Sequence, residues 1–333
     1  MPDVYGPYSM NKLQLGREST AGTAVAATTV WRGPFAMLED ASERVIVEEQ
    51  VGQLVQAERS YDTMYRGRLA MPSTELTFEQ FPHILEAGVM TATPSGAGPY
   101  TRAYSYPYNN TVPTVKSYTI EAYNAAADDD CNEMEYSLVE EFTIEGQAQK
   151  SWMMSATWFG RQLTPTTATS LSTLVAVEEA LVPKTLLYID DTGGTIGTTQ
   201  ASGVFMGGSI KVATGLVPVP VGDGNLYYVT HKWTKPTINY SLIFELVKGA
   251  SKSWVKDERA KQKAGTVRLV RLSASGSSNR SMVIDMACKH DKVNGYTNSD
   301  GNTTVQIDGH VVYSSTDAKL WSCTIINNVS ALP

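Results

Sequence analysis

Apolar and polar residues alternate with period two along several short stretches of this chain, most clearly at residues 117–123, 142–145, 266–272, 304–308 and 321–325. Successive side chains of a strand point to opposite faces. This period therefore predicts strands with one packed face and one face left to water or to a neighbour. Thr, Val and Tyr are plentiful, and glycine and proline punctuate the runs, as β structure favours. Helical patterning is scarce. The best stretch runs over residues 244–264, where Phe244, Leu246, Val247, Trp254 and Val255 precede a charged segment and Gly265 is placed to stop it. A shorter helix is predicted over 78–87, starting late or kinking at Pro82. Residues 175–180 add one turn. Residues 163–170, rich in Thr, Ser and Pro, read as a linker near mid-chain.

The two halves carry similar landmarks in the same order. Glu75-Leu-Thr-Phe-Glu79 matches Ser241-Leu-Ile-Phe-Glu245 at Leu, Phe and Glu, and each segment runs into a helix candidate followed by a period-two strand. A strand, a glycine and a Lys-x-Trp strand come later in each half: residues 142–146 with Lys150 and Trp152, and residues 305–309 with Lys319 and Trp321. The shared order and spacing predict a duplication, with domains over residues 1–165 and 166–333, against the alternative of one large β domain. Residues 92–115, rich in Pro, Gly, Tyr and Asn, have no clear counterpart in the second half, and the Gly-rich stretch 192–208 has no long one in the first.

Composition narrows the function classes. With 42% hydrophobic and 18% charged residues, the 333-residue chain has enough apolar material for a real core. Its 27 basic and 34 acidic residues give a net charge of −7, the wrong sign for a protein that grips nucleic acid by its phosphates. The sign suits a surface that DNA must slide past, and it is equally ordinary for any globular protein. Cys131, Cys288 and Cys323 form neither a Cys-x-x-Cys pair nor an even disulfide framework, so buried thiols in a reducing cytoplasm are expected. The N-terminus has no basic segment followed by an apolar run. No stretch approaches the roughly 18 apolar residues of a membrane span, and neither a signal peptide nor a membrane partner is expected.

Candidate chemistry is thin. His83, His231, His290 and His310 show no metal-ligand spacing. Asp128, Asp129 and Asp130, and the pair Asp190 and Asp191, could act as acid and base, hold a cation or line an acidic lumen. They sit beside turn-forming runs and read first as solvated turn residues. Residues 298–303 resemble a calcium loop whose closing glutamate is replaced by Gly309, and read as a hairpin turn. Residues 203–208 lack the Lys-Ser/Thr of a phosphate loop. No enzymatic activity and no cofactor are expected.

Leu15-Gly-Arg-Glu-Ser-Thr-Ala-Gly-Thr-Ala24, residues 142–146 followed by Trp152-Met-Met-Ser-Ala-Thr-Trp-Phe-Gly-Arg161, and segments 264–271 and 282–286 resemble the major tail tube proteins of long-tailed bacteriophages. The resemblance spans most of the chain on loose motifs. It implies a mostly β fold of two tandem tail-tube-type β-sandwich domains, each with a flanking α-helix and a long hairpin. The sheets of neighbouring copies would join into an inner β-barrel around a DNA channel, each exposed edge paired by the next copy. Single-domain members form six-membered rings, so tandem domains imply a homotrimeric, pseudo-hexameric ring stacked into a tube. Without duplication, a homohexamer is implied. The implied protein is a virion tail component made in the host bacterial cytoplasm. Its partners are further copies of itself and the tape measure, tail terminator and baseplate or tip proteins, and DNA passes through the lumen without specific binding. Residues 92–115 then form a candidate inter-ring loop with Tyr100, Tyr104, Tyr106 and Tyr108 as contacts, or else a surface loop with incidental tyrosines. The competing readings are a tail terminator, decoration protein or adhesin, and a carbohydrate-active β-sandwich enzyme, for which no carboxylate pair stands out.

Overall fold

The structure is a computed structural model that describes residues 6–55, 58–247, 250–277, 279–299 and 301–333, excluding the side chains of 127–129, 250–253 and 299. It is mostly β, with two α-helices. The first half contains β1 (Asn11–Arg17), β2 (Thr29–Val30), β3 (Glu39–Asp40), β4 (Glu43–Ile46), β5 (Ser60–Met64), β6 (Gly67–Glu75), α1 (Phe81–Gly88), β7 (Tyr100–Ser105), β8 (Tyr118–Asn124), β9 (Ala127–Gln147), β10 (Met153–Gly160) and β11 (Leu163–Thr166). The second contains β12 (Thr185–Asp191), β13 (Phe205–Ala213), β14 (Leu216–Val219), β15 (Thr230–Trp233), β16 (Thr237–Glu245), α2 (Ala250–Ala264), β17 (Arg268–Ser275), β18 (Ser281–Val293), β19 (Thr297–Ser299), β20 (Asn302–Val311) and β21 (Trp321–Asn327).

Strands pair in one recurring order, always antiparallel. In the first half the order is β1–β8–β9–β10–β6–β3. In the second it is β12–β17–β18–β20–β16–β13. The hairpin β4–β5 stands between β3 and β6 in sequence, as β14–β15 stands between β13 and β16. A later strand covers the first part of each long strand: β11 on β9, and β21 on β18. Both long strands pair with different neighbours in their first and second parts. Each changes partner strands just before a bulged residue: β9 passes from β8 to β10 at Ser137–Leu138, ahead of Glu140, and β18 from β17 to β20 at Cys288, ahead of Asp291, and the extra residue bends the strand. The two sheets meet across buried rings, with Tyr118 of β8 at 5.8 Å from Trp158 of β10.

The halves also join. Residues 141–147 of β9 pair with residues 207–213 of β13. One ladder therefore runs β3–β6–β10–β9–β13–β16–β20–β18 through both halves. The main apolar core is likewise continuous, drawing on Leu69, Phe142 and Trp158 from one half and Ile210, Leu242 and Ile307 from the other. Full burial of a side chain such as Leu242 or Phe142 is worth about 1.5–3 kcal/mol.

Several local expectations are corrected. Helix α1 starts late, at Phe81, one of the two outcomes Pro82 left open: the Thr77 hydroxyl accepts the Gln80 N–H (3.2 Å), and Pro82 falls in the first turn, where its missing N–H costs nothing. Phe244 and Glu245 end β16 rather than begin a helix, because Phe244 lies between Phe205 and Val305 in the ladder. Helix α2 ends where Gly265 adopts a φ of +63°. Residues 175–180 form no helical turn. They run extended, with Ala180 donating to the Leu76 carbonyl and accepting from the Trp152 N–H. The expected linker is held down, since β11 pairs with β9 and the Glu121 carboxylate accepts both the N–H (2.9 Å) and the hydroxyl (2.6 Å) of Thr169. The later landmarks match one strand out of place: residues 142–146 lie in β9, but residues 305–309 lie in β20, whose counterpart by pairing is β10.

Candidate functional site

One face of the eight-strand ladder is open except where hairpin β14–β15 covers Leu138 and Phe159, and period-two alternation decides what it shows. Along β6, exposed Arg68, Ala70, Ser73 and Glu75 alternate with buried Leu69, Met71 and Thr74. The face continues through Thr157 of β10, Glu141 and Thr143 of β9, Lys211 of β13, Asn239 and Ser241 of β16 and Asp308 of β20, which stand opposite or diagonal to one another in register. Most of these side chains are short and polar. The charges are mixed, with Lys211 paired to Glu141 at 2.9 Å. Such a surface offers a passing chain few apolar footholds.

The ladder ends on two edges. Among the described residues, β3 carries no strand on its outer side, and residues 289–293 of β18 pair only with β20. Side chains of α2 cover part of the latter edge: Gln262 donates to the Asp291 carbonyl (3.0 Å) and Arg259 to the Asn294 carbonyl (3.2 Å). An edge whose backbone groups lack strand partners is a template for another strand.

The two hairpins meet different fates. Hairpin β14–β15 and the loop between its strands lie on the first half, where Leu216 and Tyr228 pack with Tyr136, Leu138 and Phe159. Arg161 clamps them, donating to the Tyr228 and Val229 carbonyls at 3.0 Å each and lying 4.8 Å above the Tyr136 ring. Among the described residues, hairpin β4–β5 has no such seat. It and its connection expose Val45, Ile46, Val51, Leu54, Val55 and Tyr61, the Leu54 side chain completely. A cluster of this kind on a folded chain marks an interaction surface.

The residues expected to act from sequence fall elsewhere. Tyr104 and Tyr106 are buried in the core, so they cannot be inter-ring contacts. Residues 92–115 are tied down because β7 pairs with β21, and Tyr106 meets Trp321 at 5.8 Å while donating to the Gly88 carbonyl (3.3 Å). Tyr100 is half-buried. Tyr108 is exposed and stacks on Tyr313 at 5.0 Å. Asp190 is buried and accepts from the backbone of Gly197 (2.7 Å) and Thr199 (2.8 Å) and the Thr198 hydroxyl (2.7 Å). Burial raises its pKa, but these hydrogen bonds outweigh it and hold the carboxyl below its ordinary range, so Asp190 organises a loop. Asp191 binds Lys261 (2.5 Å) and Arg268. Asp130 is exposed in the first part of β9, and the side chains of Asp128 and Asp129 lie outside the described residues. Asp130, Asp190 and Asp191 are all away from the ladder's open face. Its acids, Glu75, Glu141 and Asp308 among them, were missed because they are scattered one per strand, and only the strand register brings them together.

Each helix is fixed to its sheet by a buried carboxylate. Glu86 of α1 pairs with Arg17 of β1 at 2.9 Å, and Glu258 of α2 pairs with Arg268 of β17 at 2.7 Å and with His290 at 2.6 Å. Burial wins at Glu86 and raises its pKa. At Glu258 the bonds from His290 and Arg268 overcome burial and lower it. His83 of α1, 3.1 Å from the Tyr118 hydroxyl, is pushed down to about 3 by burial, with Arg17 and Arg102 adding to it. The unfolded chain takes up this proton below about pH 6.5 and the folded chain does not, so stability falls as pH drops from 6.5 toward 3. At pH 4.5 the loss through His83 is expected to be about 2–3 kcal/mol. Urea melts of the His83→Gln variant should lose that part of the pH dependence.

Among the described residues no group of three His, Cys, Asp or Glu side chains could hold a metal ion, and no helix is long and apolar enough to cross a membrane. Searches against protein families and against curated proteins found no match.

Proposed function

We propose that this chain is a structural subunit of a bacteriophage tail tube, composed of two tube-type domains over residues 1–165 and 166–333, three copies of which close a pseudo-hexameric ring. The observation that carries this reading is the recurring strand order, with the first half's ladder passed directly to the second through β9 and β13. A sheet that already joins two like units side by side, and ends at each side on an edge without a partner strand among the described residues, is built to be continued by further copies. Closure of such a sheet removes all edges. Its open polar face then becomes the lumen, along which DNA slides without a binding site, and the rings stack into the tube. Further copies, the tape measure, the tail terminator and baseplate or tip proteins are the partners this role requires, and the virion tail is its place. The chain has no catalytic task in this reading.

Electron microscopy of the purified chain tests it. Rings or tubes with a pore wide enough for a DNA duplex are expected, with a ring mass of three chains. A six-chain ring would replace the tandem reading with the homohexamer. Single rings that never stack would favour a tail terminator, and a monomer at high concentration would remove the proposal.

A further inference from the structure

The recurring order allows the halves to be aligned residue by residue, without reference to sequence similarity. In the first half Phe159 stands between Arg68 and Leu138; in the second His310 stands between Asn239 and Lys289. Two residues after Leu138 and two after Lys289 comes the bulge, after which Glu141 faces Thr157 and Lys292 faces Asp308. Glu141 and Lys292 are therefore counterparts. On the other side, Glu39 pairs with Arg68 as Lys211 pairs with Asn239, so Glu39 and Lys211 are counterparts. The preceding residues agree, since Leu38 and Ile210 are both buried.

Lys211 and Glu141 form the 2.9 Å ion pair that spans the β9–β13 junction. Their counterparts, Glu39 and Lys292, have both signs reversed and remain complementary. Both are exposed, and they stand at opposite ends of the ladder. Seven strand spacings, about 34 Å along the sheet, keep them from meeting within one chain.

We propose that β18 of one copy pairs with β3 of a second copy in the register that β9 and β13 keep within one chain: Asn294 opposite Glu39, Val293 opposite Asp40, Lys292 opposite Ala41, with a Glu39–Lys292 ion pair across the junction. The strand directions fit, because β18 runs as β9 does and β3 runs as β13 does. Gln262 leaves the Asp291 carbonyl, as the matching Glu140 carbonyl accepts the Thr214 N–H. The same junction carries the exposed hairpin β4–β5 over β18 and β20 of the second copy, as β14–β15 lies over the first half. The inference rests on self-association and not on the tail as its setting.

Two sets of variants of the full chain test it. Glu39→Cys combined with Asn294→Cys should give, on mild oxidation, covalent multimers on a non-reducing gel; the native cysteines are buried and will not compete. Asp40→Cys with Asn294→Cys, shifted by one residue and pointing to opposite faces, should give little. Glu39→Lys or Lys292→Glu alone should weaken association about tenfold by setting like charges together, and the double reversal should restore it. Absence of intermolecular disulfide, equal cross-linking of the shifted pair, or a double reversal no better than the singles would each overturn the proposal, with circular dichroism confirming that each variant folds. Tubes without the cross-link would reject this junction and leave the tail reading standing. Cross-linked rings that never form tubes would do the reverse.

Discussion

Replacing Gly207 with valine is expected to destabilise the chain by roughly 2–6 kcal/mol, combining backbone strain with overpacking that cannot relax. Gly207 sits in β13 with a φ of +135°, where a side chain is strained whatever the space. A β-carbon there would also run into the backbone carbonyl of Gly146 on β9, which cannot swing aside as a flexible side chain would. The damage falls on the one place where the ladder passes between halves. Urea denaturation should show the loss of stability. Amide hydrogen exchange should show residues 141–147 and 207–213 opening first, while the β1–β8 pair stays protected. A variant as stable as the parent, with unchanged exchange at the junction, would mean that the junction is not the constraint described.

Loss of Glu258 is the second large effect. The Glu258→Ala variant should lose about 3 kcal/mol, because Arg268, only 7% exposed, loses its bidentate partner and keeps only the more exposed Asp191. His290 and Tyr240, 2.5 Å apart, lose the anchor that orients the ring. Since Glu258 titrates below its ordinary range in the folded chain, its contribution is present above the unfolded-state pKa and fades as pH falls through the folded one. Replacing Glu258 and Arg268 together with leucine and methionine should recover much of the loss, since an apolar pair avoids the desolvation cost. If the double variant is as unstable as the single one, the ion pair matters less than the packing around it.

The mostly β character was legible from period two and composition, and the strands over 117–123, 266–272 and 321–325 fall within three residues of β8, β17 and β21 at each end. The recurring strand order was only half visible, for a reason of volume. Where the first half sets Trp158 beside Leu69, the second sets Gly309 beside Tyr240, so the large ring has moved to the neighbouring strand. The space is filled in both, but no residue-by-residue likeness survives. The long strands hid their role because the change of partner strand, just before the bulges at Glu140 and Asp291, leaves no mark in composition. Tyr104 and Tyr106 misled because tyrosines among prolines and glycines look exposed; only the partner strand β21, more than two hundred residues later, makes them core. The ladder edges were invisible for the same reason, since being unpaired is a property of the whole topology.

That late partner has a bearing on how the chain is made. Strand β7 lies early in the chain, yet its strand partner among the described residues is β21, and Arg102 reaches Asn327 at a separation of 225 residues. Contacts this distant in sequence form late, because the intervening chain must first be ordered. A nascent chain on the ribosome therefore holds β7 without its partner strand until β21 emerges. A product truncated before Trp321 leaves β7 bare and Tyr104 uncovered, a target for aggregation and proteolysis rather than a building block. The order of β7 therefore depends on a strand made more than two hundred residues after it.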